Sequence, residues 1–244
     1  MLHPDQADRL RVVLVATRNP LNIGAAARAM SNFGFLRLRV VRPYDLSFRE
    51  ARSAVGAPDL LKNAEVFSSV SEAVGDCSLV VGTTAVGSRQ VDHPVHPLAD
   101  GGALICAHLE TAPVALLFGS EKRGLSNDDL SYCHWLMRIP TRQEHDSMNL
   151  GQAVAVCLYE LIRTQSAPSQ DVESEVALHA RSEELERMIR SLLDALAASG
   201  YIKPGTEPAT EEKARRLIRR LNLTSSDAET LTGMFAKMRM RGRD

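Results

Sequence analysis

Val114-Ala-Leu-Leu-Phe118-Gly-Ser-Glu-Lys-Arg-Gly-Leu-Ser126 sends an apolar run straight into a loop that carries Glu121, Lys122 and Arg123 between two glycines. An uninterrupted apolar run is the pattern of a strand covered on both faces. Gly119 and Gly124 free the backbone for conformations or close approaches that a Cβ forbids. The stretch therefore predicts a buried strand delivering a charged loop to a site; the same residues also suit an ordinary strand-to-helix connection with solvated charges.

Working outward, residues 11–17, 36–41, 65–68, 79–85 and 136–140 read as further strands, the first of them β-branched and nearly all apolar. Between them, residues 23–33, 47–55, 71–75 and 150–163 carry helical signals, and Ser126 opens another helix with capping chemistry. Strands alternating with helices predict an α/β layer architecture with a mostly parallel sheet. Asn22 is the expected cap of the helix over 23–33, and Gly34 its stop. That helix is built from Gly24, Ala25, Ala26, Ala27 and Ala29, which suits close packing, with Arg28 the one long polar side chain in its middle. Residues 86–113, with Pro94, Pro97, Gly101 and Gly102, read as a surface excursion ending in a short helical patch over 103–109. Ligands of such sheets sit outside the carboxyl ends of the strands. By that rule residues 17–22, 83–85 and 119–124 share one edge, and the polar loop 141–149 follows the last strand.

The chain has 244 residues, 44% hydrophobic and 24% charged, which excludes a disordered or fibrous class. Nothing near Met1 resembles a signal peptide and no apolar run approaches the roughly 18 residues that span a bilayer, so a cytoplasmic protein without membrane contact is expected. Cys77, Cys106, Cys133 and Cys157 lack paired metal spacing and read as buried free thiols; no metal is expected. The net charge of -1 conceals an excess of acids over 166–202 and of bases over 203–244 (10 Lys and Arg against 6 Asp and Glu). The basic end suits phosphate contact or simply the solvated faces of helices. Residues 166–174 read as a linker. Beyond it, three amphipathic helices follow, the last opened by a Ser226/Glu229 capping box. The expected organisation is an α/β domain over 1–165, the linker, and a helical extension over 175–244.

No G-x-G-x-x-G follows the first strand and no G-x-x-x-x-G-K-[ST] occurs, so the common dinucleotide and nucleoside-triphosphate cradles are missing. His145, Asp146 and Ser147 are adjacent and cannot adopt the geometry of a hydrolase triad. Spacing alone leaves an α/β protein with a pocket and no assigned reaction.

Three ordered motifs add to this: Asn22-Ile-Gly-Ala-Ala-Ala-Arg28 with Phe33-Gly34, Phe118-Gly-Ser-Glu121-Lys-Arg123-Gly-Leu-Ser126, and Asp146-Ser147-Met-Asn149-Leu. Together they resemble the motifs of the TrmH-type SPOUT RNA 2'-O-methyltransferases. The resemblance implies a C-terminal trefoil knot in the α/β domain, an S-adenosylmethionine pocket made by the knot loops, and a homodimer with the site near the subunit interface. It implies cofactor contacts by Thr83, Thr84, Ala85, Gly119, Ile139, Asp146, Ser147 and Met148, and catalytic or substrate-orienting roles for Arg28, Ser147, Asn22 and Asn149. The helical extension resembles that of members methylating cytidine or uridine at position 32 of the tRNA anticodon loop. A ribosomal RNA target and a non-catalytic RNA-binding scaffold are the other readings open at this point. Because the extension lies outside the three motifs, its removal is expected to cost tRNA methylation more than cofactor affinity.

Overall fold

The computed structural model describes residues 3–85, 92–142, 144, 147–165 and 179–241. Among these, seven strands form one sheet: β1 (Leu10–Val15), β2 (Leu38–Val41), β3 (Glu65–Phe67), β4 (Leu79–Thr84), β5 (Val95–Pro97), β6 (Val114–Phe118) and β7 (Trp135–Arg138). Their order is β3-β2-β1-β6-β4-β7-β5, and every pairing is parallel. The helices are α1 (Pro4–Arg9), α2 (Pro20–Phe33), α3 (Pro58–Lys62), α4 (Val70–Val74), α5 (Leu98–Leu109), α6 (Asn127–Ser131), α7 (Leu150–Gln165), α8 (Ser182–Ala198), α9 (Glu207–Arg219) and α10 (Ser225–Arg241).

The continuous apolar runs fill both faces of the sheet, as period-two side chains require. Leu10, Val12 and Leu14 of β1, with Val114, Leu116 and Phe118 of β6, belong to the core that takes in α2, α5 and α7. Val13 and Val15, with Ala115 and Leu117, face the opposite core, toward α4 and α6. Close packing explains the small residues of α2: a Cβ on Gly24 would meet Ser53 Oγ at 2.2 Å, and one on Gly151 of α7 would meet Ala25 Cβ at 2.7 Å. The four cysteines are free and buried, and burial pushes the Cys106 and Cys133 thiols up to about 12.

Several local expectations are corrected. Asn19, not Asn22, caps α2, its side chain accepting from the Leu21 amide, because Pro20 occupies the first helical position. Gly34 does close the helix, at φ 79°. The last helix opens two residues earlier than read: Thr224 and Asp227, not Ser226 and Glu229, make the reciprocal cap. Residues 92–113 form β5 and the twelve-residue α5. Gly101 and Gly102, read as breakers, sit inside α5 because a Cβ there would lie 3.1 Å from Met137 Sδ and from Glu160 Cγ respectively. Residues 166–174, expected as a linker, lie outside the described residues. Helices α8, α9 and α10 share a core of their own around Leu185, Met188, Ile189, Ala214 and Ile218.

At the amino ends of the central strands His134 is buried, its Nδ1 accepting the Val80 amide at 3.0 Å, and His108 Nε2 lies 2.7 Å from Ser78 Oγ. Burial pulls both imidazoles down, His108 to about 4 with His179 adding to the effect. A histidine depressed in the folded state and ordinary in the unfolded state binds more protons when unfolded, so stability rises with pH between the two values. Folding stability is therefore expected to be complete above about pH 6.5 and to fall by roughly 2 kcal/mol toward pH 4 on account of His108, allowing for its partial exposure. Urea midpoints from pH 7 to 5 check this, and His108→Gln should flatten the slope.

Candidate functional site

The loops after β4, β6 and β7 meet at the carboxyl edge of the sheet and enclose a cleft of about 320 Å³. Thr83 and Thr84 end β4 and, with Ala85 just after it, form one wall. Thr83 Oγ1 donates to the Leu117 carbonyl at 2.9 Å, fastening that wall to β6. The loop after Phe118 forms the second wall, closed by a bridge between Ser120 and Gly124 and a 2.8 Å bond from the Gly124 amide to the Ser120 carbonyl. Gly119 is the pivot: a Cβ there would sit 2.0 Å from Gly124 C and 2.2 Å from the Leu125 amide nitrogen. Ile139, Ser147 and Met148 supply the third wall.

Of the eight residues expected at the cofactor, seven thus line one cleft, and Asp146 lies outside the described residues. Lining positions absent from the expected cofactor set include Leu130 of α6, Thr141 after β7, and Leu150 and Ala153 on the first turn of α7. The i, i+3 pair at the head of a helix that starts at the sheet edge was the available signal for the last two.

The three motifs are joined by side chains. Asn22 Nδ2 donates to Glu121 Oε1 at 2.7 Å, Asn149 Nδ2 donates to Asn22 Oδ1 at 3.2 Å, and the Gly151 amide donates to Asn149 Oδ1 at 3.0 Å. The chain of amides holds the starts of α2 and α7 against the loop after β6, and it gives Glu121 a partner that the sequence could not name. Ser147 and Asn149 are exposed beside the cleft. Arg28 is exposed on α2, outside the cleft lining, and makes no ion pair with the described residues.

Such a site can take a small molecule largely through loop backbone and place it against a polar, partly exposed rim, with size in the range of ordinary ligand pockets. The lining suits a nucleoside with an amino-acid tail, since Gly119, Gly124, Ala85 and Ala153 keep it free of bulky side chains while Thr84, Thr141 and Ser147 carry hydroxyls.

The model of the SpoU rRNA Methylase family matches residues 9–159. The chain is 36% identical over 239 residues to the tRNA (cytidine/uridine-2'-O-)-methyltransferase TrmJ of Klebsiella pneumoniae, covering 96% of this chain and 98% of that one. It is also 36% identical to the protein of the same name from Sodalis glossinidius, over 98% of this chain and 92% of the other. The crystal structure of TrmJ from Z. mobilis ZM4 superposes with a TM-score of 0.81 at 35% identity, covering 93% of this chain and 98% of that one. With the family model matching more than half of its length and relatives 36% identical over nearly all of it, the chain belongs to the SpoU methylase family.

Proposed function

We propose that this chain is an S-adenosylmethionine-dependent tRNA ribose 2'-O-methyltransferase acting in the cytoplasm on cytidine or uridine at position 32 of the anticodon loop. The observation that carries the reading is that likeness to relatives named as tRNA (cytidine/uridine-2'-O-)-methyltransferases runs through the helical extension as well as the α/β domain. The cleft fits the cofactor: hydroxyl-bearing and small loop residues line it, and the loop wall folds back at Gly119, where a Cβ would clash with Gly124. Bound there, the cofactor supplies an electrophilic sulfonium methyl.

The chain's own residues have two tasks, to hold a ribose 2'-hydroxyl in line and to handle its proton. An arginine, charged at all working pH values, is a poor base but a good fork for phosphate. Arg28 clamps the substrate phosphate and stabilises developing negative charge on the 2'-oxygen. Deprotonation is assisted by a substrate phosphate, which accepts the proton, or by Ser147, whose hydroxyl relays it to solvent, while Asn22 and Asn149 fix the rim that the ribose meets. Arg28 lies outside its own subunit's cleft, and Leu21 on α2 and Tyr159 on α7 are exposed, which supports a homodimer with the site near the interface. The trefoil knot is supported by the loop after β6 folding back on itself at Gly119 and by α7 returning from β7 to pack on α2. The division into an α/β domain over 1–165 and an extension over 175–244 is supported by the separate core of α8–α10.

S-Adenosylmethionine is expected to raise the melting temperature of the free protein, as any ligand of the folded state alone must. Methylation of total RNA followed by mapping of the modified nucleotide tests the rest. Label at position 32 of tRNA supports the reading, and label confined to ribosomal RNA overturns it. A protein that neither binds the cofactor nor transfers a methyl group is a scaffold.

A further inference from the structure

The basic segment of α9 divides in two. Lys213 and Arg220 are exposed, but Arg215 is 3% exposed and Arg219 is fully buried. Both buried arginines point toward α6, the five-residue helix between the loop after β6 and β7. Arg215 Nη1 donates to Ser131 Oγ at 2.8 Å, and its guanidinium stacks 4.1 Å from the Tyr132 ring centroid. Arg219 lies 5.8 Å from the same ring. Across the contact, Glu186 of α8 accepts from both: Arg215 Nε at 3.1 Å and Arg219 Nη2 at 3.1 Å. Arg219 Nη1 also donates to Ser182 Oγ at 3.0 Å. Burial pulls Arg215 down while Glu186, Tyr132 and Glu211 outweigh it, and burial prevails at Arg219.

Two guanidinia removed from water, sharing Glu186 and with Arg215 also paired to Glu211 and Asp128, are costly to assemble and costlier to leave half-made. A helix as short as α6 has no stability of its own and takes its position from what grips it. One grip is Arg42 at the end of β2, whose Nη2 donates to Asp129 Oδ1 at 2.6 Å. Another is Arg215, which donates to Ser131 and lies 3.6 Å from Asp128 Oδ1, while Leu130 is anchored in the core beneath. Between the two, Leu130 lines the cleft.

We propose that Arg215 and Arg219 are positioning residues of the cofactor pocket: by holding α6 through Ser131 and Tyr132 they couple docking of the helical extension to occupancy of the cleft by S-adenosylmethionine. The inference rests on the reading of the cleft as the cofactor site. Coupling is reciprocal, so cofactor must tighten the docking as much as docking tightens the cofactor. Loss of the extension then weakens cofactor binding as well as tRNA methylation, contrary to the division of labour that motif positions suggested.

The test is isothermal titration of the full-length chain with S-adenosylmethionine, together with hydrogen exchange. Arg215→Met should weaken binding by about tenfold or more. Arg215→Lys, which keeps the charge over Tyr132 but loses the fork, should recover part of it, and Ser131→Ala should lose about two- to threefold. In the wild-type chain, saturating cofactor should slow exchange in α6, α8 and α9 together. Should Arg215→Met release α9, seen as faster exchange there, yet bind cofactor with the wild-type Kd, the inference fails. If that variant does not fold, unchanged exchange in α8 and α9 on saturation of the wild type overturns it equally. A wild-type chain that does not bind the cofactor sinks the functional reading itself, a different result.

Discussion

Arg28→Ala is expected to lower turnover on tRNA by about a hundred- to a thousandfold while leaving S-adenosylmethionine affinity unchanged. The separation follows from position. Arg28 is exposed on α2 and is absent from the cleft lining, so its loss disturbs neither the loop after β6 nor the amide chain through Asn22 and Asn149. No ion pair with the described residues occupies it, so its charge is available to a polyanion. A fork that holds one phosphate and strengthens as charge builds on the 2'-oxygen acts more in the transition state than in the ground state. Its removal should therefore appear in kcat more than in KM. Arg28→Lys keeps the charge and loses the fork, and should remain impaired by at least about tenfold. Near-normal turnover by the lysine variant with unchanged RNA affinity would remove the bidentate role. Single-turnover methylation with purified tRNA, beside cofactor titration, separates the two quantities.

The parts of this fold legible in the sequence were those where one residue pattern has one physical use. Val12 to Val15 and Val114 to Phe118 have no polar side to present, so they had to be central strands, and both faces of the sheet are covered around them. Gly34 after a run of helix formers had to be a stop, and it takes the left-handed conformation. Reading failed where a residue type serves two ends. Gly101 and Gly102 suit a loop, yet here they let α5 approach Met137 and Glu160. Asn22 suits a cap, yet Pro20 moves the helix start back to Asn19 and leaves the Asn22 amide for Glu121. Arg215 and Arg219 look like neighbours of Lys213 and Arg220 in a basic patch, and only the contact of α9 with α6 shows that they face inward. The site followed the same division: strand ends named its walls, whereas Leu130 belongs to it through tertiary placement alone.

The loop after β6 offers a sharper discrimination, because its two glycines are needed for different reasons. Gly124 has φ 65°, and open space surrounds the position a Cβ would take. Gly124→Ala therefore meets only the left-handed penalty, about 1 kcal/mol. Gly119 has no such dihedral demand, but its Cβ would fall 2.0 Å from Gly124 C and 2.5 Å from the Gly124 carbonyl oxygen. The obstacle is backbone, not the end of a flexible side chain, so no rotamer change relieves it. The loop must open, and with it the bridge between Ser120 and Gly124 and the wall facing Thr83–Ala85. Gly119→Ala is expected to cost about 3 kcal/mol or more in folding stability, the upper end of overpacking penalties. It should also weaken S-adenosylmethionine binding by at least about a hundredfold, because whatever conformation relieves the clash displaces the wall that the cofactor meets. Urea unfolding of both variants, with and without cofactor, measures each term: the Gly124 variant should keep its cofactor-induced gain in stability, and the Gly119 variant should lose it. Equal behaviour of the two would mean that the loop relaxes freely, and that the fold-back at Gly119 does not shape the pocket.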